Sequence, residues 1–139
     1  MTNSLAQLLS QTTKGPPCPA NEFFDFVRMV GPVPHQDYLD LMACHNGCAG
    51  PVGEEAYVSI WSLDEVISRT EQAETDEFAP GLLLFGGDGG NEAFAFDRDD
   101  SEWPIVMVPL VGMSRKEMKF IASTFTGFIR RLAADELWS

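Results

Sequence analysis

Leu82-Leu83-Leu84-Phe85-Gly86-Gly87-Asp88-Gly89-Gly90-Asn91-Glu92-Ala93-Phe94-Ala95-Phe96-Asp97 is the stretch on which the fold turns. Two short apolar runs, Leu82–Phe85 and Ala93–Phe96, flank a segment of glycine, aspartate and asparagine from Gly86 to Asn91. Glycine and asparagine accept the positive φ angles of tight turns, and apolar runs this short make strands, so the stretch predicts a β-hairpin. A phosphate cradle would place its glycines between a strand and a helix whose N-terminus faces the anion. Here they lead into a second strand, and Asp88 and Glu92 would repel phosphate.

Further elements extend in both directions. Ala56–Trp61 reads as a central strand, with Tyr57 and Trp61 on one face and Val58 and Ile60 on the other. Ser62-Leu63-Asp64-Glu65 is a capping-box pattern and predicts a helix from Leu63 to about Ala73. Upstream, Asn21 can cap a helix over Glu22–Val30, and Pro34 can open a second running to about His45, where Asn46-Gly47 stops it. Downstream, Ile105–Val108 reads as a strand that Pro109 ends. A second capping-box pattern, Ser114-Arg115-Lys116-Glu117, precedes an apolar stripe of Met118, Ile121, Ala122, Phe125, Phe128, Ile129 and Leu132, which predicts a long C-terminal helix. The irregular order of helices and strands predicts an α+β fold, a single mixed, largely antiparallel sheet of about four to six strands packed by helices. Residues 1–20, ending in Gly15-Pro16-Pro17-Cys18-Pro19, are expected to be loosely ordered, with one domain over 21–139.

At 139 residues the chain has the size of one domain, and its hydrophobic content of 45% is enough for a core. No apolar run approaches the roughly eighteen residues that span a bilayer. Met1–Ser10 has no positive charge before Leu5–Leu9, so it does not read as a secretory signal, and the cytoplasm is the expected location. Three cysteines do not make a disulfide framework and fit a reducing compartment. A net charge of −12 argues against nucleic acid and anionic membranes as direct partners and favours a basic protein.

Little in the sequence supports catalysis. Cys44-His45-x-x-Cys48 has zinc-ligand residue types, but only Cys18 and His35 remain to complete a tetrahedral set, and neither has paired spacing. Cys44 and His45 are adjacent, so on a helix they do not face each other as a nucleophile and base must. Asp97, Asp99 and Asp100 resemble the start of a calcium loop, but its sixth and twelfth places hold Glu102 and Val108 rather than glycine and glutamate. No catalytic residue, metal or cofactor is expected.

Charge is segregated. From Gly31 to Glu102 acids outnumber bases sixteen to two, whereas Ser114–Arg131 carries five bases against Glu117. The candidate partner-binding residues are Glu71, Glu74, Asp76 and Glu77, then Asp99, Asp100 and Glu102, with Asp88 on the hairpin. Tight interfaces depend on a few aromatic anchors. Trp103, between Glu102 and Pro104, is the preferred exposed anchor, Trp61 reads as core, and Trp138 is a further candidate.

Several of these segments together resemble the SUKH superfamily, which includes the yeast cell-wall-assembly regulator and many bacterial immunity proteins. They are Gly31-Pro32-Val33-Pro34 with the helix entry through Tyr38, the Asn46-Gly47 turn, the Leu63–Ile67 helix, the hairpin ending at Asp97, and Ile121–Ile129. The resemblance spans about Gly31 to Leu132. It implies a non-enzymatic protein-binding domain, an immunity protein that binds and neutralises a basic toxin such as a nuclease. A regulatory adaptor with several weak partners is the first alternative. A small ligand-binding domain or enzyme using Cys44, His45 or the loop carboxylates is the second.

Overall fold

The hairpin forms where the sequence places it and lies inside a larger sheet. The computed structural model describes residues 3–136. Its strands are β1 (Thr13–Lys14), β2 (Cys48–Val52), β3 (Ala56–Ile60), β4 (Leu82–Gly87), β5 (Glu92–Asp97), β6 (Ile105–Pro109) and β7 (Lys119–Ala122). They form one seven-stranded sheet in chain order. Every neighbouring pair is antiparallel. The α+β expectation therefore holds, with a sheet slightly larger than expected.

The helices are α1 (Asn3–Leu8), α2 (Ala20–Val30), α3 (Gln36–Cys44), α4 (Leu63–Gln72), α5 (Thr75–Phe78) and α6 (Phe125–Ala133). Helix α4 begins as its capping pattern predicts, the Ser62 hydroxyl accepting from the Glu65 N–H at 3.3 Å. Helix α2 differs from expectation. It starts at Ala20, and Pro19 occupies the cap position without a side-chain cap bond, leaving Asn21 inside the first turn.

Glycine decides how β3 meets β4. They pair at Ser59–Gly87 and Ile60–Gly86, the Trp61 N–H donates to the Phe85 carbonyl at 3.0 Å just past them, and a Cβ on Gly86 would lie 2.4 Å from the Ser59 carbonyl oxygen. Beyond this crossing β3 no longer covers the edge of β4, and α4 runs beside it. The Thr70 hydroxyl accepts from the Leu84 N–H at 3.0 Å and donates to the Leu84 carbonyl at 3.4 Å, so backbone groups that would be orphaned are paired.

Side chains alternate along β5, so Phe94 and Phe96 share one face and Ala93, Ala95 and Asp97 the other. The first face meets the helices. Tyr38 of α3, Phe85 of β4, Phe96 of β5 and Phe125 of α6 form a ring cluster with centroid separations from 4.5 to 5.9 Å. On the other face the chain doubles back after β6. Pro109 lies opposite Glu92 at one end of β5, while Arg115 reaches Asp97 at the other end, and Met113 between them is buried.

This return path corrects the long C-terminal helix. The stretch from Arg115 to Ala133 is a 3-10 turn (Arg115–Glu117), then β7, then the nine-residue α6. Ile121, Phe125, Phe128, Ile129 and Leu132 are all buried, as the stripe demands. Met118–Ala122, however, satisfies a strand as readily as a helix, and tertiary context decides. Strand β6 is buried from Ile105 to Val108, and β7 pairs with the edge it would otherwise leave open. The helix start lies at Thr124, whose hydroxyl accepts from the Gly127 N–H at 3.0 Å, while Ser114 makes no side-chain cap bond.

The first twenty residues were expected to be loose, and in the structure they carry α1 and β1. Leu5 and Leu9 are fully buried, and β1 pairs with β2. A four-residue spacing of two leucines is enough to bury one helical face against α6 despite the prolines that follow.

Candidate functional site

Hairpin geometry brings distant acids together. Leu82 at the start of β4 pairs with Asp97 at the end of β5. The segment Glu71–Glu77 precedes the first of these and Asp99–Glu102 follows the second, so both acid-rich stretches emerge at the same end of the sheet. Glu71, Glu74, Asp76, Glu77, Asp99, Asp100 and Glu102 are all exposed there. Glu74 takes a left-handed conformation, φ 53°, that turns the chain from α4 into α5.

Arg115 pins the two stretches to each other. Its guanidinium donates to Asp97 Oδ1 at 3.1 Å and Oδ2 at 2.9 Å, and to the Pro80 carbonyl at 2.9 Å. Asp99 Oδ2 lies 3.5 Å away as a weaker ion partner. Asp97 is buried, and its Oδ1 also accepts from the Asp99 N–H at 3.2 Å. The hydrogen bonds to Asp97 push the pKa of the Arg115 guanidinium above its ordinary value, so its charge is permanent. The segregation of bases from acids read along the chain is thus broken in space, because Arg115 sits inside the acidic end. The Arg98 N–H adds a backbone bond to the Gly81 carbonyl at 2.9 Å.

Trp103 corrects the expectation of an exposed anchor. It is 8% exposed, with φ 50°, and its ring lies 6.0 Å from that of Phe96. Its carbonyl accepts from Nε2 of buried His35 at 2.7 Å, which fixes the proton on that nitrogen. Flanking acids made the segment read as wholly solvated, but the left-handed backbone at Trp103 turns the indole inward. Its role is to tie the acidic loop to the core. Trp61 is buried, with Arg69 4.6 Å above its ring, and Trp138 lies outside the described residues.

Asp88 is not part of this end. It sits at the hairpin tip, roughly 17 Å along β5 from Asp97 at about 3.4 Å per residue. Its Oδ1 accepts from the Gly90 N–H at 2.8 Å and the Glu92 N–H at 3.3 Å, so it builds the turn. Burial first, and Asp88 second, raise the pKa of Glu92. A carboxyl that binds its proton more tightly when folded opposes folding once the pH exceeds its unfolded pKa. Glu92→Gln is therefore expected to raise the melting temperature at neutral pH, with the gain vanishing below the carboxylate range. Melting curves across that range measure it, and an equal gain at every pH would assign the effect to something other than charge.

Among the described residues no three His, Cys, Asp or Glu side chains are grouped so as to hold a metal ion. Cys44 is exposed at the end of α3, Cys48 is buried in β2, and His45 Nδ1 lies 3.3 Å from the Gly15 carbonyl. Burial raises the pKa of Cys18 and Cys48, which keeps both as thiols rather than reactive thiolates.

Two residues of the acidic end were missed by sequence reasoning. Arg98, read only as one of two bases in an acidic stretch, lines a cavity of about 150 Å³ with Met29, Val30, Ile67, Glu71, Asp76 and Leu83. Its Nε is buried without a hydrogen-bond partner. Met29, on α2, is 65% exposed beside this cavity. No periodicity in α2 or near Arg98 signals that they meet.

The segments that carried the resemblance have clear structural work. Tyr38 anchors the ring cluster, and burial raises its phenol pKa. Asp37 Oδ2 accepts from the Thr126 N–H at 2.9 Å and hydroxyl at 2.6 Å, joining α3 to α6. Asn46 Oδ1 accepts from the Leu63 N–H at 2.9 Å at the start of α4, and Gly47 takes φ 101° where a Cβ would meet the Ile60 carbonyl at 2.9 Å. Among the described residues no helix is long and apolar enough to cross a membrane. No curated protein matches the chain. The model of the SMI1 / KNR4 family (SUKH-1) matches residues 35–131, from the buried His35 through α6, and the chain belongs to that family.

Proposed function

We propose that this chain is a non-enzymatic protein-binding domain of the immunity type, which neutralises a basic toxin domain by presenting its acidic end. The observation that carries the reading is the convergence of Glu71, Glu74, Asp76, Glu77, Asp99, Asp100 and Glu102, all exposed, at one end of the sheet on segments pinned by Arg115. Family membership supports a protein as the partner, and the net charge of −12 supports a basic one. A nuclease fits best, because its cleft is built to hold phosphates and carboxylates can occupy it. Such a surface acts first on encounter, since charge complementarity accelerates association and salt screens it. Pinning matters too, because loops already held in place lose less entropy on binding.

The test begins with recovery of the partner from native cells on the tagged chain, followed by stopped-flow association. The triple variant Asp99→Asn, Asp100→Asn, Glu102→Gln is expected to fold normally and to associate about tenfold more slowly at low salt, with the difference shrinking at high salt. An unchanged rate at low salt would remove this loop from the interface.

A further inference from the structure

We infer that Leu110–Met118 is a strap that opens as one unit from the second face of the sheet, and that its closure decides whether the acidic end is pinned. Strand β5 turns Ala93, Ala95 and Asp97 to that face, and β6 turns Val106 and Val108 to it through the pairs Ala95–Val106 and Ala93–Val108. All five are buried. At one end of β5 the Leu110 N–H donates to the Asn91 carbonyl at 2.7 Å, and the Val111 N–H donates to Asn91 Oδ1 at 3.0 Å. At the other end Arg115 grips Asp97 and the Pro80 carbonyl. Asn91 and Asp97 stand about 20 Å apart at roughly 3.4 Å per residue. The chain from Val111 to Arg115 reaches about 14 Å at full extension, and the arginine side chain supplies the rest. The segment therefore lies along β5 with little slack.

What holds the strap shut is sparse and lies mostly at its ends. Between Leu110 and Met118 only Met113 is buried, and the other residues are exposed or half-buried. Gly112 takes φ 79°, with open space where a Cβ would point, and makes the left-handed step between exposed Val111 and buried Met113. The bonds from the Glu117 N–H to the Ser114 carbonyl and from the Met118 N–H to the Arg115 carbonyl are local and travel with the strap. A segment with few buried apolar groups and solvent-facing ties opens at lower free energy than the strands beneath it. Because slack is small, losing either Met113 or the Arg115 grip loosens the whole length. Opening bares Ala93, Ala95, Val106 and Val108 and takes Arg115 from Asp97, so strap and acidic end form one two-state element. By linkage, a partner that recognises the pinned acidic loops also holds the strap shut, a consequence that rests on the protein-binding reading above.

Native-state hydrogen exchange on the full chain tests this without a partner. After correction for intrinsic rates, the Leu110 amide at one end and the Asp99 amide at the other are expected to exchange at least about tenfold faster than amides in central β5. Met113→Ala changes the middle of the strap and removes no bond of either amide. It is expected to accelerate both by about a further tenfold, and to accelerate central β5 less. Met113→Leu, which refills the space, is expected to stay within about twofold of wild type at both. Arg115→Lys keeps the charge but not the fork, and reads the same coupling if the alanine variant does not fold. It is expected to speed exchange about threefold at Leu110, the far end of β5 from the substitution. Acceleration confined to the end nearer the change, or equal in the strap and central β5, would overturn the inference. The first result would mean that the ends open independently, and the second that the strap leaves only with the whole fold. Either leaves the acidic-end reading standing, because that is judged separately by the partner's association rate.

Discussion

Replacing Phe85 with alanine is expected to destabilise the fold by about 3–5 kcal/mol. Phe85 is fully buried, stacked on Phe96 at 4.5 Å and set edge-on to Tyr38 at 5.8 Å, Phe125 at 5.9 Å and Phe128 at 5.6 Å. These rings come from β5, α3 and α6, so Phe85 stands where the hairpin meets two helices. The four neighbours are held by three backbone elements, which limits collapse into the void and places the cost toward the upper part of the range. Aromatic pairs contribute about 0.5–1.5 kcal/mol beyond area burial, but four sharing one ring do not add independently. Guanidinium unfolding measures the loss. Phe24→Ala serves as the internal comparison, because Phe24 is 65% exposed on α2 and its removal is expected to change stability by no more than about 0.5 kcal/mol. A loss at Phe85 below about 2 kcal/mol would mean that the cluster repacks around the gap.

That cluster was legible where local chemistry and tertiary need agree. Asp88–Asn91 turns at the hairpin tip although Gly86 and Gly87 extend β4, the Ser62 box starts α4, and the strands and helix between them take the expected places. Legibility failed where one segment satisfies two periods. Met118–Ala122 buries Ile121 and Ala122 as a strand or as the first turn of a helix, and the open edge of β6 chose the strand. Strand β2 was hidden for a different reason. Gly50 and Pro51 have low strand propensity, yet Cys48, Gly50 and Val52 alternate inward because β1 and β3 bracket them.

The candidate site was legible in its residues and less so in its geometry. Pairing of Leu82 with Asp97 follows from the hairpin, so the adjacency of Glu71–Glu77 and Asp99–Glu102 was implicit in the turn. The same logic sends Asp88, at the tip, to the opposite end. The inward turn of Trp103 and the arrival of Arg115 were not implicit. Both depend on non-local partners, His35 for the first and Asp97 for the second, that no pattern along the chain connects.

Replacing Arg115 with methionine is expected to cost about 2–3 kcal/mol and to loosen the acidic end. Methionine keeps an unbranched apolar stem, so the change reports the lost guanidinium more than lost packing. The Asp97 carboxylate, 9% exposed as a side chain, would lose both bonds of its fork. Breaking a buried pair by removing one partner typically costs about 3–5 kcal/mol. Arg115 is 30% exposed, so water can enter and solvate part of the abandoned carboxylate, which lowers the expected value. Arg115→Lys should fall between wild type and methionine, since an ammonium keeps the charge but cannot hold both oxygens in a planar fork. Adding Asp97→Asn to the methionine variant should recover part of the loss, because it removes the buried charge left without a partner. The effect also reaches the proposed binding surface. Arg115 holds the Pro80 carbonyl and lies within ion-pair distance of Asp99, so its loss frees the segments on both sides of the Leu82–Asp97 pair. Faster amide exchange at Arg98 and Asp99 is expected under conditions where the variant remains folded, since both N–H groups bond within this pinned end. Stability within about 0.5 kcal/mol of wild type, with unchanged exchange at those two amides, would mean that solvent replaces the pair and that Arg115 does not organise the acidic end.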